Sequence, residues 1–427
     1  MQRQSRAALS ACAGDLRVLF FPRLARAGHG VPAMRRILTF TSLFPNAEQP
    51  RHGIFIDTRL RQLLDSGEVE VEVVAPVPWF PFKQKCFGRY GAFARVPRRV
   101  MRGAAVVHHP RFLALPGPLG RITPLFLALG SLPVVRRMLK SGFDFDLIDA
   151  HYYYPDGVAA ALLGQWLGKP VVITARGSDI TYWPTLSLPR KMILWAAQRA
   201  ARNAAVSRAL VDEMMRLGFP SGRSCVLRNG VDLELFHPEP RDQCRNRLGL
   251  GEGTVVLSVG NLVELKGHHL VIEALATWPE MTLIIIGEGP MERSLRALVE
   301  QFGMASRVRF VGVLPQSELR AFYSAADLLV LASSREGWPN VLLESMACGT
   351  PVVATGVWGI PEIVGAPEAG VLAWERSVVA LQHGIQTLLS DHVDRQATRA
   401  YAERFSWEAT TKAQLRMYGD VMQEAAE

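Results

Sequence analysis

The sequence predicts an α/β chain folded as two doubly wound domains that face each other across a central cleft. Three observations predict it. At 427 residues the chain is long enough for two full cores. Hydrophobic residues make up 49% and charged residues 20%, a globular balance without disordered or collagen-like bias. Short β-rich runs alternate with amphipathic stretches, and the alternation stops at one turn cluster and then restarts.

Residues 1–33 lack sustained periodicity and read as a detachable extension, either a loose tail or a mis-set start. Met34 opens the first β-rich run. Strands are expected at 37–41, 71–75, 105–108, 147–150, 171–175, 204–207 and 224–227, with helices between several of them, among them 157–167 and 188–202. Such alternation gives βα units on a parallel sheet buried on both faces. The cluster Arg228-Asn229-Gly230-Val231-Asp232 breaks the pattern, because Asn-Gly forms tight turns. Strands resume at 255–259, 282–286, 308–311, 328–332, 351–354 and 371–373, with helices at 268–277, 291–302, 316–324, 340–348 and 377–389. The tail 407–422 is helical, with Ser406 as N-cap and Glu408 in the first turn. The expected units are 34–229, 230–405, and a C-terminal helix at 406–427 placed to cross back to the first domain.

Several classes are excluded. The longest apolar stretch, 122–135, carries Pro124 and Pro133 and is too short to span a bilayer. Five cysteines without CxxC spacing argue against a disulfide framework or zinc knuckle and for a reducing compartment. The apolar run 18–22 is shorter than a signal-peptide core, so a cytoplasmic location is expected. The formal charge of +9 is unevenly spread: residues 79–140 hold 12 Lys/Arg and no Asp or Glu. Trp79, Phe80, Phe82, Phe87, Tyr90 and Phe93 are interleaved with its start. Cationic and aromatic side chains together suit an anionic membrane surface. No nucleic-acid-binding pattern accompanies them, so nucleic acid ranks below a membrane as partner. A solvated basic loop is the plainer alternative.

Facing doubly wound domains bind ligands at the carboxyl ends of their strands. The segments there are distinctive. After 255–259 comes Gly260-Asn261-Leu262-Val263-Glu264-Leu265-Lys266-Gly267, and after 328–332 comes Ser333-Ser334-Arg335-Glu336-Gly337-Trp338-Pro339-Asn340-Val341-Leu342-Leu343-Glu344. A lysine ahead of a helix N-terminus brings two positive sources onto a phosphate. Glu336 and Glu344 are placed to accept hydrogen bonds from vicinal hydroxyls. No dinucleotide fingerprint or P-loop is present. Taken alone, the two glutamates would be a loop carboxylate and a solvated helix residue, and Lys266 a surface lysine. His151 alone would be a hydrogen-bonded strand-end histidine. Asp156 and Asp179 are as consistent with turns or caps as with a site. His108-His109 and His268-His269 lack further ligands at sensible spacing, so no metal site is expected.

The ordered segments Glu336 to Glu344, Met346 to Thr355, Gly359 to Val364, Asn229 to Asp232 and Gly260 to Gly267 together resemble the signature of glycosyltransferase family 4. The resemblance covers residue 34 to the C-terminus and is densest over 224–364. It implies the GT-B architecture of two Rossmann-like domains and retaining transfer from a nucleotide-diphosphate-sugar donor, with no cofactor and no obligatory metal. It also implies roles: Glu344 on the donor ribose, Glu336 on the transferred sugar, the backbone of Gly337, Trp338, Pro339, Asn340 and Val341 around sugar and phosphate, and Lys266 on the diphosphate. Asn261 stands where the family usually has arginine, which leaves one diphosphate contact to be supplied elsewhere, with Arg176 a candidate. In the first domain Asp149 to Gly157 resembles the family's histidine segment, placing His151 beside the donor sugar. Arg176-Gly177 stands where relatives often have His-Gly, and Gly53 corresponds to the first-loop glycine near the diphosphate. The segment 50–55 resembles enzymes of bacterial cell-surface polysaccharides. The implied acceptor is a saccharide, lipid-linked, in exopolysaccharide or envelope synthesis at the inner face of the plasma membrane. A non-catalytic nucleotide-sugar-binding or scaffold protein and an epimerase on the same fold are the alternatives.

Overall fold

Two large sheets organise residues 34–427, which the computed structural model describes; the extension read at 1–33 lies outside the described residues. The first lobe holds β1 (Arg35–Phe40), β2 (Val69–Val74), β3 (Val77–Pro78), β4 (Arg99–Arg102), β5 (Ala105–His108), β6 (Arg111–Phe112), β7 (Leu147–His151), β8 (Val171–Ala175), β9 (Arg202–Ala205) and β10 (Ser224–Val226). Its main sheet runs β10-β9-β8-β7-β1-β2-β5-β4, while β3 and β6 pair separately. The second lobe holds β11 (Val255–Val259), β12 (Thr282–Ile286), β13 (Val308–Gly312), β14 (Leu328–Leu331), β15 (Val352–Thr355) and β16 (Gly370–Ala373), in the order β13-β12-β11-β14-β15-β16. Every pairing in this second sheet is parallel. Its central strands are buried throughout, as uninterrupted apolar runs such as Val-Val-Leu-Ser-Val require under helices on both faces.

The first sheet departs from the expected all-parallel, doubly buried form. β4 runs antiparallel to β5 at the edge. Its sequence Arg-Val-Met-Arg is largely exposed and shows no apolar alternation. β2 alternates strictly: Val69, Val71 and Val73 are buried against the helix Ile54–Asp65, while Glu70 and Glu72 point to the other face.

On that other face lies the helix Thr123–Lys140, preceded by the turn Gly117–Ile122. The run Gly117–Lys140 is long and apolar enough to cross a bilayer by length and composition, which corrects the expectation that no stretch is. In the fold, however, Leu127, Ala128, Val135 and Met138 bury one side of it against the first lobe's core, with Leu38, Phe40 and Val74. Leu119, Leu125 and Leu129 stay exposed on the other side.

The chain crosses between lobes twice, and the two crossings touch. The Val231 amide donates to the Phe405 carbonyl at 2.8 Å, and the Thr410 hydroxyl to the Arg228 carbonyl at 3.1 Å. The last helix, Trp407–Glu424, lies on the first lobe: Leu415, Tyr418 and Val421 pack among Ile56, Leu60 and Val71.

Candidate functional site

Each sheet reverses its winding once, between β1 and β7 and between β11 and β14, and crevices at such points are where open sheets take ligands. The loops that follow these strands meet between the lobes. Gly337 lies so close to the first lobe that a Cβ there would sit 2.0 Å from the Arg176 carbonyl oxygen. Only a residue without a side chain permits that approach. Arg335 also donates to the Thr181 carbonyl across the gap at 3.2 Å.

In the second lobe the Lys266 ammonium is 2.5 Å from Glu336 Oε1, and the Ser333 hydroxyl donates to the same oxygen at 2.7 Å. Beyond Glu336, Pro339 caps the helix Asn340–Ala347; the Leu342 amide bonds the Pro339 carbonyl at 3.1 Å, while the amides of Asn340 and Val341 have no partner among the described residues. Glu344 lies on this helix, 8% exposed, and accepts a hydrogen bond from the Tyr323 hydroxyl at 2.9 Å. Burial raises its pKa to about 7, against the opposing Tyr323 hydrogen bond. A cavity of about 110 Å³ brings Glu344 and Asn340 together with Ile54, Phe55 and Thr58 of the first lobe.

In the first lobe Gly53 precedes the helix Ile54–Asp65 with φ +69°, where a Cβ would meet the Leu43 carbonyl oxygen at 2.1 Å. Next to it the Arg176 guanidinium sits over the Phe55 ring, 5.4 Å from the centroid. Arg176 donates to Asn229 Oδ1 at 2.8 Å and contacts His151 Nδ1 at 2.9 Å. Burial, reinforced by the charge of Arg59, brings its pKa down to about 9, so it is still a cation at neutral pH. It therefore donates to His151 Nδ1, which assigns the ring proton to Nε2, facing Asp149 Oδ2 at 3.3 Å. Burial pulls the pKa of His151 down to about 4, so the ring is neutral.

The structure thus brings Lys266, Glu336, Gly337, Asn340, Glu344, Gly53 and Arg176 to one cleft, and turns His151 inward. His151 is 2% exposed and both ring nitrogens face protein partners. The Trp338 side chain also packs inward, 6.1 Å from the Phe405 ring and beneath Arg228. Pro339 is buried, and Val341 is partly exposed on the helix that follows. Asn261 is exposed at the mouth, and its side chain makes no hydrogen bond among the described residues. Asp179 is a structural clamp, accepting the amides of Tyr153, Arg176 and Gly177 at 2.7–3.0 Å. Asp156 is buried under Ser42, and burial raises its pKa to about 7. His268 bonds Ser258, and among the described residues no three His, Cys, Asp or Glu side chains converge as metal ligands.

Sequence reasoning missed the support beneath His151. Tyr418 and Gln414 of the last helix donate to Asp149 Oδ2 at 2.7 and 3.3 Å, and Arg59 donates to Gln414 at 2.9 Å. Gln414 and Tyr418 are four apart on a helix, so their shared face was readable; the strand it meets was not.

Comparison with known proteins gives the family and the fold. The family described as Glycosyltransferase Family 4 matches residues 58–235, and that described as Glycosyl transferases group 1 matches residues 240–405. A Bacillus subtilis protein described as a teichuronic acid biosynthesis glycosyltransferase, TuaC, is 31% identical over 340 residues, spanning 77% of this chain and 83% of that one. A D-inositol 3-phosphate glycosyltransferase of Acidothermus cellulolyticus is 32% identical over 70% of this chain and 73% of its own. Among solved structures, sucrose-phosphate synthase of Thermosynechococcus elongatus superposes with TM-score 0.74 at 21% identity, over 92% of this chain and all of that one. Anabaena HepE in complex with UDP-glucose does so with TM-score 0.68 at 22% identity, over 91% of this chain and all of that one.

Proposed function

The chain belongs to glycosyltransferase family 4, a family of transferase enzymes on the GT-B fold, and from that premise we propose that it moves a sugar from a nucleotide-diphosphate-sugar to a saccharide with retention of configuration. The observation that carries this reading is the Lys266–Glu336 pair at 2.5 Å, at the mouth of the helix Asn340–Ala347 and opposite Arg176. On donor binding Lys266 exchanges Glu336 for the diphosphate, and Glu336 turns to the sugar hydroxyls. Glu344 holds the ribose. UDP-glucose bound to the structural neighbour HepE supports a donor of this class.

The anomeric C–O bond breaks through an oxocarbenium-like state as the leaving diphosphate gains charge. Lys266 and the helix N-terminus are fixed where that charge develops, the arrangement that accelerates such steps most. The acceptor hydroxyl attacks from the face the diphosphate leaves. Its proton passes to the departing phosphate oxygen, so no protein nucleophile is required. The positive charge comes from the chain itself, so no metal enters the proposal. His151, closed to the cleft, acts as a positioning residue for Arg176.

The acceptor we propose is lipid-linked, in bacterial exopolysaccharide or envelope polysaccharide synthesis, with the protein peripheral on the inner face of the plasma membrane. Its support is the exposed aromatic and leucine side chains, Trp79, Phe82, Phe87, Tyr90, Leu119 and Leu129, within the region rich in Lys and Arg. Each such cation near anionic headgroups contributes about 1 kcal/mol. The test is thermal unfolding with UDP, GDP, ADP and CMP, followed by NMR of the glycoside formed. Stabilisation by one diphosphate and a product with the donor's anomeric configuration are expected. An inverted product overturns the front-face mechanism, and no shift with any nucleotide overturns the donor assignment. Pelleting with anionic vesicles, lost at high salt, checks the membrane partner.

A further inference from the structure

The first lobe carries a second concavity, away from the carboxyl ends of β11 and β14. The helix Thr123–Lys140 covers β1 but stops short of the sheet's edge, so the polar face of β2, β5 and β4 is left open beside it. The groove has a volume of about 950 Å³. Glu70, Glu72, His108 and Arg99 form its floor, and Val134, Arg137 and Met138 of the helix form its wall.

Its charges do not cancel. Glu70 is already paired with Arg36 at 2.8 Å, and Glu72 with His108 at 2.7 Å. Arg98, Arg99 and Arg137 also line the groove, and their side chains make no hydrogen bond or ion pair among the described residues. Arg111 lies among them, and its pKa is lowered by burial and then by the charge of Arg98. Three unpaired guanidiniums therefore line a groove whose two local carboxylates are spent, beside Arg111, whose own donors go to the Val96 and His109 carbonyls. A buried polar atom is left over as well. His109 lines the groove at 1% exposure; its Nδ1 bonds the Ala75 carbonyl at 2.9 Å, while Nε2 has no partner. A nitrogen whose ring partner donates to a carbonyl is a lone-pair acceptor. Such an unpaired buried group is costly unless a ligand satisfies it.

We propose that this groove binds a phosphate monoester carrying an apolar group. The ester binds as its monoanion: the charged oxygens meet the guanidiniums bidentately, and the remaining O–H donates to His109 Nε2. Trp79, Val134 and Met138 supply the apolar contact. A sulfate ester carries no O–H, and neither does the phosphate dianion that predominates above its second pKa of about 6, so the preference for phosphate over sulfate belongs below that value. The site is independent of the transferase reading and goes beyond general attraction to a membrane, because it specifies one headgroup chemistry. A soluble phosphate ester and a lipid with a terminal phosphate share that chemistry.

The test is calorimetric titration of the whole chain at about pH 5.5, where the monoanion predominates, with hexyl phosphate and hexyl sulfate, and pelleting with phosphatidylcholine vesicles with and without phosphatidic acid. Wild type should bind hexyl phosphate more tightly than the sulfate. Arg99→Ala/Arg137→Ala, both exposed positions, should bind it at least tenfold more weakly, and Arg99→Lys/Arg137→Lys should recover part of the loss. Lys266→Ala should bind it as wild type does. Preference for vesicles with phosphatidic acid over hexyl phosphate identifies a lipid source, and the reverse a soluble one. Equal binding by wild type and the double alanine variant, loss of binding in Lys266→Ala, equal affinity for the sulfate, or no binding in either arm overturns the proposal.

Discussion

Replacing Glu344 by Gln should stabilise the ligand-free protein at alkaline pH while removing its affinity for nucleotide. The carboxyl is buried on the helix Asn340–Ala347 with, among the described residues, a single hydrogen bond, from Tyr323, and burial raises its pKa from 4.5 to about 7. The native state therefore holds this proton to a higher pH than the unfolded chain does. The contribution to stability is whole below pH 4.5, falls as pH rises through the interval, and is gone above about 7. At about 1.36 kcal/mol for each pH unit separating the two values, the ionised carboxylate costs the native state about 3 kcal/mol at pH 8. Gln has similar shape, still accepts from Tyr323, and carries no charge. Glu344→Gln should thus gain up to about 3 kcal/mol at pH 8 and only about 1 kcal/mol at pH 5.5. Urea unfolding followed by circular dichroism at both values measures this. Nucleotide at about 100 times its dissociation constant adds about 2.7 kcal/mol to a protein that binds it, and this increment should appear in wild type alone. A variant less stable than wild type at pH 8, a gain equal at both pH values, or a retained nucleotide increment would refute the reasoning.

Lys266→Ala should lower kcat by about 10²–10³, as removal of one preplaced charge stabiliser does, and single-turnover assays should locate the loss in the chemical step. Tyr418→Phe removes a donor to buried Asp149; unfolding free energy should fall by about 1–3 kcal/mol, and kcat should fall while the donor dissociation constant stays within about twofold. The same kcat as wild type would make that hydroxyl purely structural. Asn261→Arg places a guanidinium at the mouth, where the present side chain is exposed and unbonded, and should tighten nucleoside diphosphate binding by about tenfold, checked by calorimetry. Nucleoside monophosphate binding should change less, since the gain is assigned to the diphosphate.

The second lobe was readable because β11, β12, β14 and β15 are short, mostly apolar runs with glycine or serine just after them, and the chemistry follows those ends: Gly260 after Val259, Ser333 soon after Leu331. β4 was not readable. Arg99 and Met101 lie on a solvent-facing edge, so no burial imposes the alternation that marks a strand, and β4 is held by pairing with β5 and by Arg102 on Asp57. Local sequence placed Lys266 and Glu336 at strand ends without showing that they touch. It also placed His151 after β7, where a cleft-facing ring was expected. The inward turn is decided by Asp149 and by Tyr418, 269 residues further along the chain, and no local pattern carries that contact.

Arg176 links these observations. A cation longer than the histidine that the family resemblance implies here fits because its guanidinium is anchored inward, on Asn229 of the turn that joins the lobes. Asn229 also donates to Asn340 of the second lobe at 3.3 Å. The two bonds are unequal: the first is charge-assisted at 2.8 Å, the second joins two neutral amides at a longer distance. If the lobes part, the weaker bond yields. Asn229 then stays with Arg176, His151 and Asp149, and Asn340 leaves with Lys266, Glu336 and Glu344. The first-lobe network would thereby stay intact, while Gly337 would separate from the Arg176 carbonyl it packs against. Parting the lobes would also break the Arg335 bond to the Thr181 carbonyl and the bonds of Glu362 to the Ala209 amide and the Arg228 guanidinium, all at or near the surface. The buried ion network, whose disruption would leave an uncompensated charge, stays whole.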